Sequence, residues 1–483
     1  MSESGFLKYQ RQPDAWKAPL DRLKSFDEFH IPADYETRME QASRCMHCGV
    51  PFCQSAIELK GMVTGCPLHN LIPEWNEELF NGNDQYALDR LLKTNPFPEF
   101  TSRVCPALCE KACLNGVDSE PTTVHDNEFY IIENGFEKGW VTLCPPQTST
   151  GKSVGIIGSG PAGLAAAQLL RQRGHEVHVY ERDDKPGGLL QYGIPNMKLD
   201  KSVVRRRIDL MKDAGVQFHC NVEAGRDLSM EELKNRHDAL IIAAGSRKPR
   251  PLAAQGMENV SGIHYALEYL SASTKSVESQ KKPAINAKGK HVVVLGGGDT
   301  GNDCIGTALR QQAKSILQLE VMPEPSETRQ EDNPWPEWPK IKKTDYGQQE
   351  AIVLFQKDPR LFSTTINKVH AKNGKICAVD LVEVDNHFRP VEGTERTVKC
   401  DLLLIAAGFV GIEEGLKDSF HLPVTARNVV ETEPSSHKVK NSSLFVCGDA
   451  KRGPSLVVWA ISHGRVCARE VDHALMGYSN IEG

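Results

Sequence analysis

The sequence predicts an α/β fold in which a helical N-terminal domain precedes two domains built from βαβ units. Three observations lead to this fold class. Eight of the fourteen cysteines lie before residue 145. Two G-x-G-x-x-G loops, each between an apolar strand and a helix, lie about 140 residues apart. The segment DALIIAAGS at residues 238–246 is echoed by DLLLIAAGF at residues 401–409, which indicates a repeated domain type.

The composition is that of a large globular protein. The 483 residues are enough for about three domains, and the charged fraction of 25% is ordinary. The net charge is only -6, without a basic block, so we expect no nucleic-acid partner. We find no secretory leader and no apolar run of membrane-spanning length. A cytoplasmic protein without a membrane segment is therefore predicted, and disulfides rarely persist in that compartment.

Residues 1–150 are predicted to form helices and loops that carry a cluster of cysteines. Its members are Cys45, Cys48, Cys53, Cys66, Cys105, Cys109, Cys113 and Cys144. The spacing does not divide into the two close pairs that are typical of a zinc site. The Cys-Pro steps at Cys66 and Cys105 resemble the step found in ferredoxin cluster sequences. The pattern therefore favours iron–sulfur chemistry over zinc or disulfides.

Geometry indicates more than one metal centre. If residues 106–113 form a helix with Pro106 in its first turn, Cys105 and Cys113 stand roughly 12 Å apart. That separation is awkward for one cluster but suits two neighbouring clusters. Seven cysteines then divide into a set of four and a set of three, which leaves one ligand missing. Cys144 is the obvious candidate for it.

Residues 151–262 are predicted to form the first part of a Rossmann-like domain. SVGIIG is a strand, PAGLAAAQLLRQRG a helix, and HEVHVYE a second strand. In the loop between them, Gly158 permits a tight turn, Gly160 lets the backbone approach a pyrophosphate, and Gly163 allows close packing of helix on strand. Glu181 ends the second strand, where its carboxylate can accept hydrogen bonds from ribose hydroxyls. A dinucleotide site is therefore predicted here.

Residues 285–412 are predicted to form a second Rossmann-like domain, which takes the nicotinamide dinucleotide. Its strand HVVVLGG leads into a loop and helix that supply Gly296, Gly297, Gly298, Asp299, Thr300 and Gly301. Glu320 ends the following strand, where an acid suits a free 2′-hydroxyl and repels a 2′-phosphate. This favours NADH over NADPH, although Arg329 in the next loop keeps NADPH open.

Several other features have simpler explanations. His47 is predicted to lie exposed or behind the metal ligands. The segment NPWPEWP at residues 333–339 is predicted to be a rigid loop that packs its two tryptophans, with a partner surface as the alternative. The remaining cysteines are predicted to be core thiols, namely Cys220, Cys304, Cys377, Cys400, Cys447 and Cys467.

Longer motifs carry a resemblance to a known family. They are CMHCGVPFCQ, GCPLHNLIPEWN, FPEFTSRVCPALCEKAC, GSGPAGLAAA, GGLLQYGIPNMKL, GGGDTGNDC, NPWPEWP and GDAKRGPSLVVWAI. Over essentially its whole length, the chain resembles the small (beta) subunit family of bacterial glutamate synthase. The electron-input half of dihydropyrimidine dehydrogenase shares this architecture. The resemblance implies FAD in the first Rossmann-like domain, which residues 435–483 complete after the inserted nicotinamide domain.

The resemblance also implies roles for individual residues. By analogy, one [4Fe–4S] cluster is held by Cys45, Cys48, Cys53 and Cys113. The other is held by Cys66, Cys105, Cys109 and the acidic side chain of Glu128. Further cofactor-binding residues implied by the matched motifs are Gly188, Leu189, Lys198, Gly408, Gly448 and Asp449, the last on the ribityl chain of the flavin.

The function implied by the resemblance is electron input. NADH or NADPH is oxidised through FAD, and electrons pass over two clusters to a large (alpha) subunit that carries FMN. That subunit makes L-glutamate from L-glutamine and 2-oxoglutarate, and no catalytic side chain is assigned in this chain. Two alternatives stay open. One is an electron-input subunit for another acceptor, such as a pyrimidine reductase or ferredoxin. The other is a zinc-stabilised binding module fused to an ordinary flavoprotein.

Overall fold

The computed structural model describes residues 4–482, and its N-terminal region is helical with two small antiparallel sheets. The elements in chain order are α1 (Gly5–Lys8), β1 (Ala15–Trp16), α2 (Pro19–Arg22), β2 (His30–Ile31), α3 (Tyr35–Ser43), β3 (Ile57–Leu59), β4 (Met62–Thr64), α4 (Ile72–Phe80), α5 (Asp84–Thr94), α6 (Pro98–Val104), α7 (Leu108–Lys111), α8 (Asn115–Asp118) and α9 (Val124–Glu137). The aromatic side chains of Trp75, Phe97 and Phe100 are fully buried among the longer helices. Helix α6 begins at Pro98, because the fixed φ of proline and its missing N–H suit a first turn.

The predicted helix over residues 106–113 is wrong. Helix α6 ends at Val104, Cys105 is extended, and Ala107 has a left-handed φ of 57°. Pro106 explains the break, because a proline disfavours the helical conformation of the residue before it. The short α7 restarts only at Leu108. The distance that a continuous helix would have set between Cys105 and Cys113 therefore does not apply.

A five-stranded parallel sheet forms the centre of the first α/β domain, with strand order β17-β8-β5-β6-β7, in which β17 (Leu444–Val446) comes from the C-terminal part of the chain. Its elements before the insertion are β5 (Ser153–Ile157), α10 (Pro161–Arg173), β6 (Glu176–Glu181), α11 (Leu189–Tyr192), α12 (Lys201–Asp213), β7 (Gln217–Cys220), α13 (Met230–Arg236) and β8 (Ala239–Ile242). Strand β8 is buried at every residue, as expected for a parallel sheet that is covered on both faces.

The second α/β domain contains a parallel sheet of strand order β12-β11-β10-β16-β9 and a separate antiparallel sheet of β13, β14 and β15. Its elements are β9 (Ile263–Tyr265), α14 (Ala266–Ser279), β10 (His291–Leu295), α15 (Asp299–Arg310), β11 (Ser315–Leu319), α16 (Tyr346–Phe355), β12 (Arg360–Leu361), β13 (Thr364–Lys372), β14 (Lys375–Glu383), β15 (Arg396–Lys399) and β16 (Leu402–Ile405). Strand β9 lies at the edge of the parallel sheet, so residues 263–284, which the sequence leaves unassigned, contribute to this domain.

The chain then returns to the first domain through α17 (Glu414–Ser419), β17 (Leu444–Val446), α18 (Asp449–Arg452) and α19 (Val457–Met476). Strand β17 pairs with β8 in parallel, with Leu444 opposite Leu240. The second domain is therefore inserted into the first, as predicted. No helix among residues 4–482 has the length and apolar character needed to cross a bilayer.

Helix α19 lies directly against α10. A Cβ atom on Gly464 would stand 2.2 Å from the carbonyl oxygen of Ala162, which is closer than any side chain is accommodated. Only glycine therefore permits this backbone contact.

A buried ion pair joins the helical domain to the first α/β domain. On α12, Arg207 donates from Nε to Glu99 Oε1 at 2.6 Å and from Nη2 to Oε2 at 3.1 Å. Glu99 lies on α6, and both residues are almost fully buried. This bidentate pair fixes α6 against α12.

Replacing Glu99 by glutamine should destabilise the protein by about 3–5 kcal/mol, because the charge of Arg207 then stays buried without a partner. A lower midpoint in urea unfolding checks this. Glu74→Gln is the matched control, since Glu74 pairs with Arg90 at the surface, and its effect should stay below about 1 kcal/mol. Equal midpoints for the two variants would contradict a structural role for the buried pair.

Candidate functional site

A cavity of about 590 Å³ lies where the two α/β domains meet. Its size is that of a site for a large organic ligand. The first domain supplies the glycine loop, the end of β6 and the start of α19, and the second domain supplies Asp299, Thr300 and Asp303 from α15. The helical domain adds Val104 to the same wall. All three domains therefore border one cavity.

The three glycines of the first loop have different tasks. Gly158 has a φ of 101°, and a Cβ there would stand 2.5 Å from the carbonyl oxygen of Ala243. A Cβ on Gly163 would stand 2.1 Å from the carbonyl oxygen of Gly158. A Cβ on Gly160 would meet no atom within 4 Å. The first and third glycines are thus needed by the fold, while the second leaves the space in which a pyrophosphate can approach the backbone.

The second loop repeats this arrangement. Gly296 has a φ of 126°, and a Cβ on Gly301 would stand 2.2 Å from the carbonyl oxygen of Gly296. A Cβ on Gly298 would meet no atom within 4 Å. A Cβ on Gly297 would stand 2.1 Å from Glu320 Oε2, so a side chain at this position would displace the Glu320 carboxylate. The molecule therefore has two glycine loops of the same geometry, and phosphate binding by them stays a prediction.

Each loop is joined to the acid that the sequence predicts beside it. Glu181 accepts hydrogen bonds from the backbone N–H groups of Ser159 at 3.1 Å and Asp183 at 2.9 Å. Glu320 accepts them from Gly297 and Met322, both at 2.8 Å. Both acids lie at the ends of the strands that follow the loops, where a ribose would lie. Binding by these residues stays a prediction.

Arg329 does not approach Glu320. Its guanidinium donates to the carbonyl oxygens of Asn333 at 3.1 Å and Glu337 at 2.8 Å. These bonds hold it inside its own loop, and burial lowers its pKa. Arg329 therefore stabilises its own loop.

The remaining predicted flavin residues lie around the large cavity. Leu189, Lys198 and Asp449 line it, and a Cβ on Gly188 would stand 2.8 Å from the Cα of Gly160. Burial raises the pKa of Asp449 to about 6, while the hydroxyl of Ser455 donates to its carboxylate at 2.6 Å.

Two of the predicted glycines differ in their surroundings. Gly448 has a φ of 65°, and a Cβ on it would stand 2.7 Å from the Cβ of Ala162 on α10. Gly408 follows β16 with a φ of 82° and open space around it. Gly408 does not line the large cavity.

Sequence reasoning missed Asp303. Its carboxylate lies 3.7 Å from Lys198 Nζ and accepts a hydrogen bond of 2.8 Å from the hydroxyl of Tyr346. The charge of Asp303 is the main factor that raises the pKa of Lys198 against the opposing effect of burial. This pair bridges the two α/β domains in the cavity wall. Asp303 belongs to the quoted motif GGGDTGNDC, but only the fold brings it opposite Lys198.

Four of the predicted metal ligands surround a small pocket in the helical domain. These first-set residues are Cys45, Cys48, Cys53 and Cys113. Burial raises the pKa of Cys45 to about 12, and burial followed by the charges of Cys45 and Cys113 raises the pKa of Cys53. Their thiols are therefore close enough to interact. Apolar side chains such as Ile72 complete the pocket.

The other predicted ligands form a second set, which is Cys66, Cys105, Cys109 and Glu128. Burial raises the pKa of Cys66 to about 11, and it also raises the pKa of Cys105 and of Cys109, with the charge of Cys66 next in both. The charge of Glu128 contributes to all three shifts. The carboxylate is therefore near enough for its charge to act on all three thiols.

The two carboxylate oxygens of Glu128 differ in their hydrogen bonds. Burial raises its pKa to about 7. The Thr101 hydroxyl donates to Oε1 at 2.6 Å and the Asn95 amide donates to Oε1 at 2.8 Å. Within residues 4–482, no hydrogen bond reaches Oε2, so this oxygen is free to coordinate a metal.

The sulfur atoms do not have the arrangement of a single zinc site. A single zinc ion with bonds of about 2.3 Å would place its four sulfurs roughly 3.8 Å apart. Among residues 4–482, no three cysteine sulfurs lie within 4.8 Å of one another. Cys144 is exposed and lines neither the pocket nor the cavity.

The two sets are neighbours, and the second lies next to the large cavity. The backbone N–H of Cys66 donates to the carbonyl oxygen of Cys53 at 2.7 Å. Val104 lines the cavity, and the next residue, Cys105, belongs to the second set. The order in space is therefore cavity, second set, first set. On the outer side, Met46 and Val50 are exposed.

The other predicted features also have clear positions. His47 is exposed, with Nδ1 3.4 Å from Glu77. In NPWPEWP, Trp335 packs on Phe52 with ring centroids 5.3 Å apart, and the Thr64 hydroxyl donates to the Pro336 carbonyl at 2.7 Å. The loop thus packs within the protein and reaches the helical domain. Of the six isolated cysteines, Cys304, Cys400, Cys447 and Cys467 are buried, and Cys220 and Cys377 are half-buried.

Family models match both parts of the chain. Residues 152–464 match the pyridine nucleotide-disulphide oxidoreductase family. Residues 22–140 match the model described as dihydropyrimidine dehydrogenase domain II, 4Fe-4S cluster. Among solved structures, the Mycobacterium tuberculosis protein FprA superposes with a TM-score of 0.51 at 18% identity, over 68% of this chain and 86% of FprA. That likeness concerns the fold of the α/β part.

Fold, cavity and cysteine sets together define a class: an oxidoreductase with dinucleotide-binding domains and a 4Fe–4S domain. The glutamate synthase [NADPH] small chain of Bacillus subtilis is 44% identical over 488 residues, covering 99% of both chains. Glutamate synthase [NADH] of Saccharomyces cerevisiae is 44% identical over 98% of this chain, which corresponds to 22% of the yeast protein. The chain belongs to the glutamate synthase small-chain family.

Gly160→Val should abolish FAD binding while the protein still folds, because a Cβ there meets no protein atom within 4 Å, whereas a valine side chain would fill the space for the pyrophosphate. Gly298→Val should keep FAD and lose reduction by the nicotinamide dinucleotide. Flavin absorbance of the purified variants and the rate of flavin bleaching check both results.

Gly163→Ala is the contrast, since its Cβ would strike the Gly158 carbonyl and should impair folding itself. If the two valine variants showed the opposite phenotypes, the order of the two dinucleotide domains would be reversed.

Proposed function

We propose that this chain is the electron-input subunit of a glutamate synthase. It oxidises NADH or NADPH at its second α/β domain, and the electrons pass through FAD and two [4Fe–4S] clusters to a large subunit. The large subunit makes L-glutamate from L-glutamine and 2-oxoglutarate. The single observation that carries this proposal is the spatial order of cavity, second set and first set, which leads from the dinucleotide domains to the protein surface.

The cofactors supply the chemistry, and the chain supplies their surroundings. When bound, FAD converts a two-electron donor into single electrons, which iron–sulfur clusters can carry. The open space at Gly160 admits the flavin pyrophosphate, and Asp449 receives the ribityl chain. Lys198 and Asp303 hold the nicotinamide domain against the flavin domain. This chain therefore orients the reactants and needs no acid or base of its own.

The two cysteine sets hold two clusters that carry each electron one after the other. Cys66, Cys105, Cys109 and Glu128 hold the cluster beside the flavin. Cys45, Cys48, Cys53 and Cys113 hold the outer cluster. The hydrogen bond between Cys66 and Cys53 supports this order, because it keeps the sets adjacent. Apolar walls around both sets limit water, and burial and nearby charge adjust the reduction potentials of such clusters.

A large subunit that carries FMN is the proposed acceptor. The name of the bacterial relative, a small chain, supports a separate large partner. The yeast relative supports it too, because this chain corresponds to only 22% of that longer glutamate synthase. Exposed apolar residues near the first set, Met46, Val50 and Val117, offer a surface for such a partner. An acceptor such as a pyrimidine reductase or ferredoxin would use the same surface, so the partner experiment below is decisive.

This chain, purified anaerobically, should contain about eight iron atoms, the content of two [4Fe–4S] clusters, and together with its large subunit it should form glutamate. Cys48→Ser should lose roughly half of the iron and all glutamate formation, because one cluster loses a ligand. NAD(P)H-dependent dye reduction through the flavin should persist. Iron analysis, flavin analysis and the two assays on one preparation check this.

Cys144→Ser is the matched control, and it should keep all of its iron, because Cys144 is exposed and apart from both sets. Co-purification of a partner without glutaminase activity, with no glutamate formed, would overturn the glutamate synthase assignment. Full iron retention in Cys48→Ser would overturn the ligand assignment.

NADH should give a higher kcat/KM than NADPH, because the Glu320 carboxylate would face the 2′-phosphate of NADPH. A repulsion of about 1.4 kcal/mol already gives tenfold discrimination. Glu320→Arg should shift the ratio toward NADPH by roughly one to two orders of magnitude. Dye-reduction kinetics with both nucleotides measure this ratio.

Glu320→Gln is the control that removes the charge but keeps an acceptor for the Gly297 N–H, and we expect a smaller shift in the same direction. Arg329→Ala should leave the ratio unchanged, because Arg329 is bound inside its loop. A wild-type preference for NADPH would show that the acid does not decide the choice.

A further inference from the structure

Residues 15–31 form a strap across the boundary between the two α/β domains. The strap consists of β1, α2 and β2, and the backbone N–H of Lys17 donates to the carbonyl oxygen of Phe29 at 2.9 Å, which closes it into a hairpin. Most of its side chains are exposed or half-buried, whereas Arg22 and Phe29 are buried. These two side chains therefore mark the face by which the strap contacts the rest of the molecule.

Arg22 fastens the strap to the second α/β domain. Its guanidinium lies 3.9 Å from the carboxylate of Glu350 on α16 and donates to the side-chain oxygen of Gln349 at 3.4 Å. Glu350 also accepts two hydrogen bonds from Arg310 on α15, at 2.7 and 3.0 Å. Arg310 in turn donates to the carbonyl oxygen of Ser25 in the strap at 3.0 Å. The two arginines and the carboxylate are almost fully buried, and Glu350 keeps Arg310 as a partner if Arg22 is replaced.

Other residues of the strap fasten it to the first α/β domain. The Asn196 amide donates to the carbonyl oxygen of Phe26 at 2.9 Å. Glu28 accepts two hydrogen bonds of 2.8 Å, one from the backbone N–H of Asp200 at the start of α12 and one from Arg103 on α6. The strap is therefore bonded to both α/β domains and to the body of the helical domain.

Phe29 reaches the cavity wall through one intervening side chain. Its ring packs against Tyr346 of α16 with centroids 5.2 Å apart, beside the buried Met197. The Tyr346 hydroxyl donates to Asp303 at 2.8 Å, and Asp303 lies 3.7 Å from Lys198 across the domain boundary. Residues 15–31 do not line the cavity themselves. The strap therefore lies behind the pair of residues by which the two α/β domains meet there.

Direct contacts between the two α/β domains on the side of α14 are more exposed. Lys185 pairs with Glu278 at 2.8 Å, and the lysine side chain is 43% exposed. The Ser271 hydroxyl donates to the carbonyl oxygen of Tyr192 at 2.9 Å. Exposed ion pairs contribute little to stability, whereas a buried charge strongly disfavours separation from its partner. The buried contacts of the strap therefore restrain the angle between the two domains more strongly than the contacts of α14 do.

We propose that the strap holds the two α/β domains at the angle at which the nicotinamide ring meets the flavin, and that Arg22 is its main positioning residue. This inference rests on the proposed function, in which the two domains bind FAD and NADH or NADPH. Hydride transfer needs reacting atoms about 3–3.5 Å apart, and a displacement of about 1 Å lowers the rate steeply. In that function each dinucleotide is held by the loop of its own domain. Loosening the strap therefore slows the transfer and leaves binding intact.

The test is anaerobic stopped-flow reduction of the complete small chain by the nucleotide that the wild type uses better. Arg22→Gln should lower the limiting rate of flavin reduction about tenfold, while FAD content and the Kd for the oxidised nucleotide stay within about twofold of the wild type. Arg22→Lys, which keeps the charge, should restore most of the rate. Lys24→Gln is the matched control, because Lys24 lies in the strap but pairs with Asp21 at the surface, and it should keep the wild-type rate.

Two further measurements distinguish a change of position from a loss of stability. Reduced flavin and bound oxidised nucleotide give a long-wavelength charge-transfer absorbance only when their rings stack, and Arg22→Gln should lose this absorbance. Dithionite reduces flavin without a nucleotide, so its rate should be equal in the variant and the wild type.

The wild type separates this proposal from the proposed function. A wild type that neither nucleotide reduces would overturn the proposed function itself. If the wild type is reduced, an unchanged limiting rate in Arg22→Gln would overturn the strap alone, and so would a slower rate that is explained by lost nucleotide binding. If Arg22→Gln does not fold, Glu28→Ala decides, because it releases the strap from the first α/β domain instead. A limiting rate lowered about tenfold in Glu28→Ala supports the proposal, and a wild-type rate there overturns it.

Discussion

The junction at Val104 and Cys105 is the constraint on which the rest of the molecule depends. One residue borders the dinucleotide cavity and the next supplies a thiol to the second set. Pro106 makes this possible, because it ends α6 and leaves Cys105 extended. The buried pair of Glu99 and Arg207 then fixes α6 against the first α/β domain. The helical domain shares one continuous hydrophobic core with that domain, and this arrangement places its predicted metal ligands beside the cavity.

The two α/β domains contain glycine loops of the same geometry. In each, the outer glycines of the loop are enforced by contacts with the protein itself, whereas the middle glycine faces open space. The position at which the fold tolerates a side chain is therefore the position predicted to approach a ligand. The first loop lines a cavity that also contains Val104 of the helical domain, whereas Gly297 of the second loop donates to Glu320.

Much of this architecture is readable from the sequence, and the failures have physical causes. The strands and helices around Gly158 and Gly296 follow from local hydrophobic periodicity. The helix expected over residues 106–113 failed because the bias of Pro106 on its neighbour outweighed cysteine spacing. The antiparallel sheet of β13, β14 and β15 was not anticipated, since no motif marks it.

Tertiary contacts account for what was missed at the site. The sequence does not show that Asp303 faces Lys198 or that Arg329 is bound within its own loop. The first pair joins residues that are distant in the chain, and the second depends on how the loop after Glu320 folds back on itself. The grouping of cysteines into two sets came from a family resemblance, and it is the fold that brings residues as distant as Cys48 and Cys113 to one pocket.

The contact of Gly464 with Ala162 gives α19 a further importance. With no side chain between them, α19 and α10 touch backbone to backbone, and neither can slide without a clash. Helix α19 borders the large cavity at Ala460, and five residues later, a rise of about 7.5 Å, Arg465 donates to the backbone carbonyl of Thr94 in the segment that supports the second set. A helix is stiff, so thermal motion changes the separation between the cavity and this segment little. In the proposed function this separation would belong to the electron path, and its length would be set by a helix rather than by flexible loops.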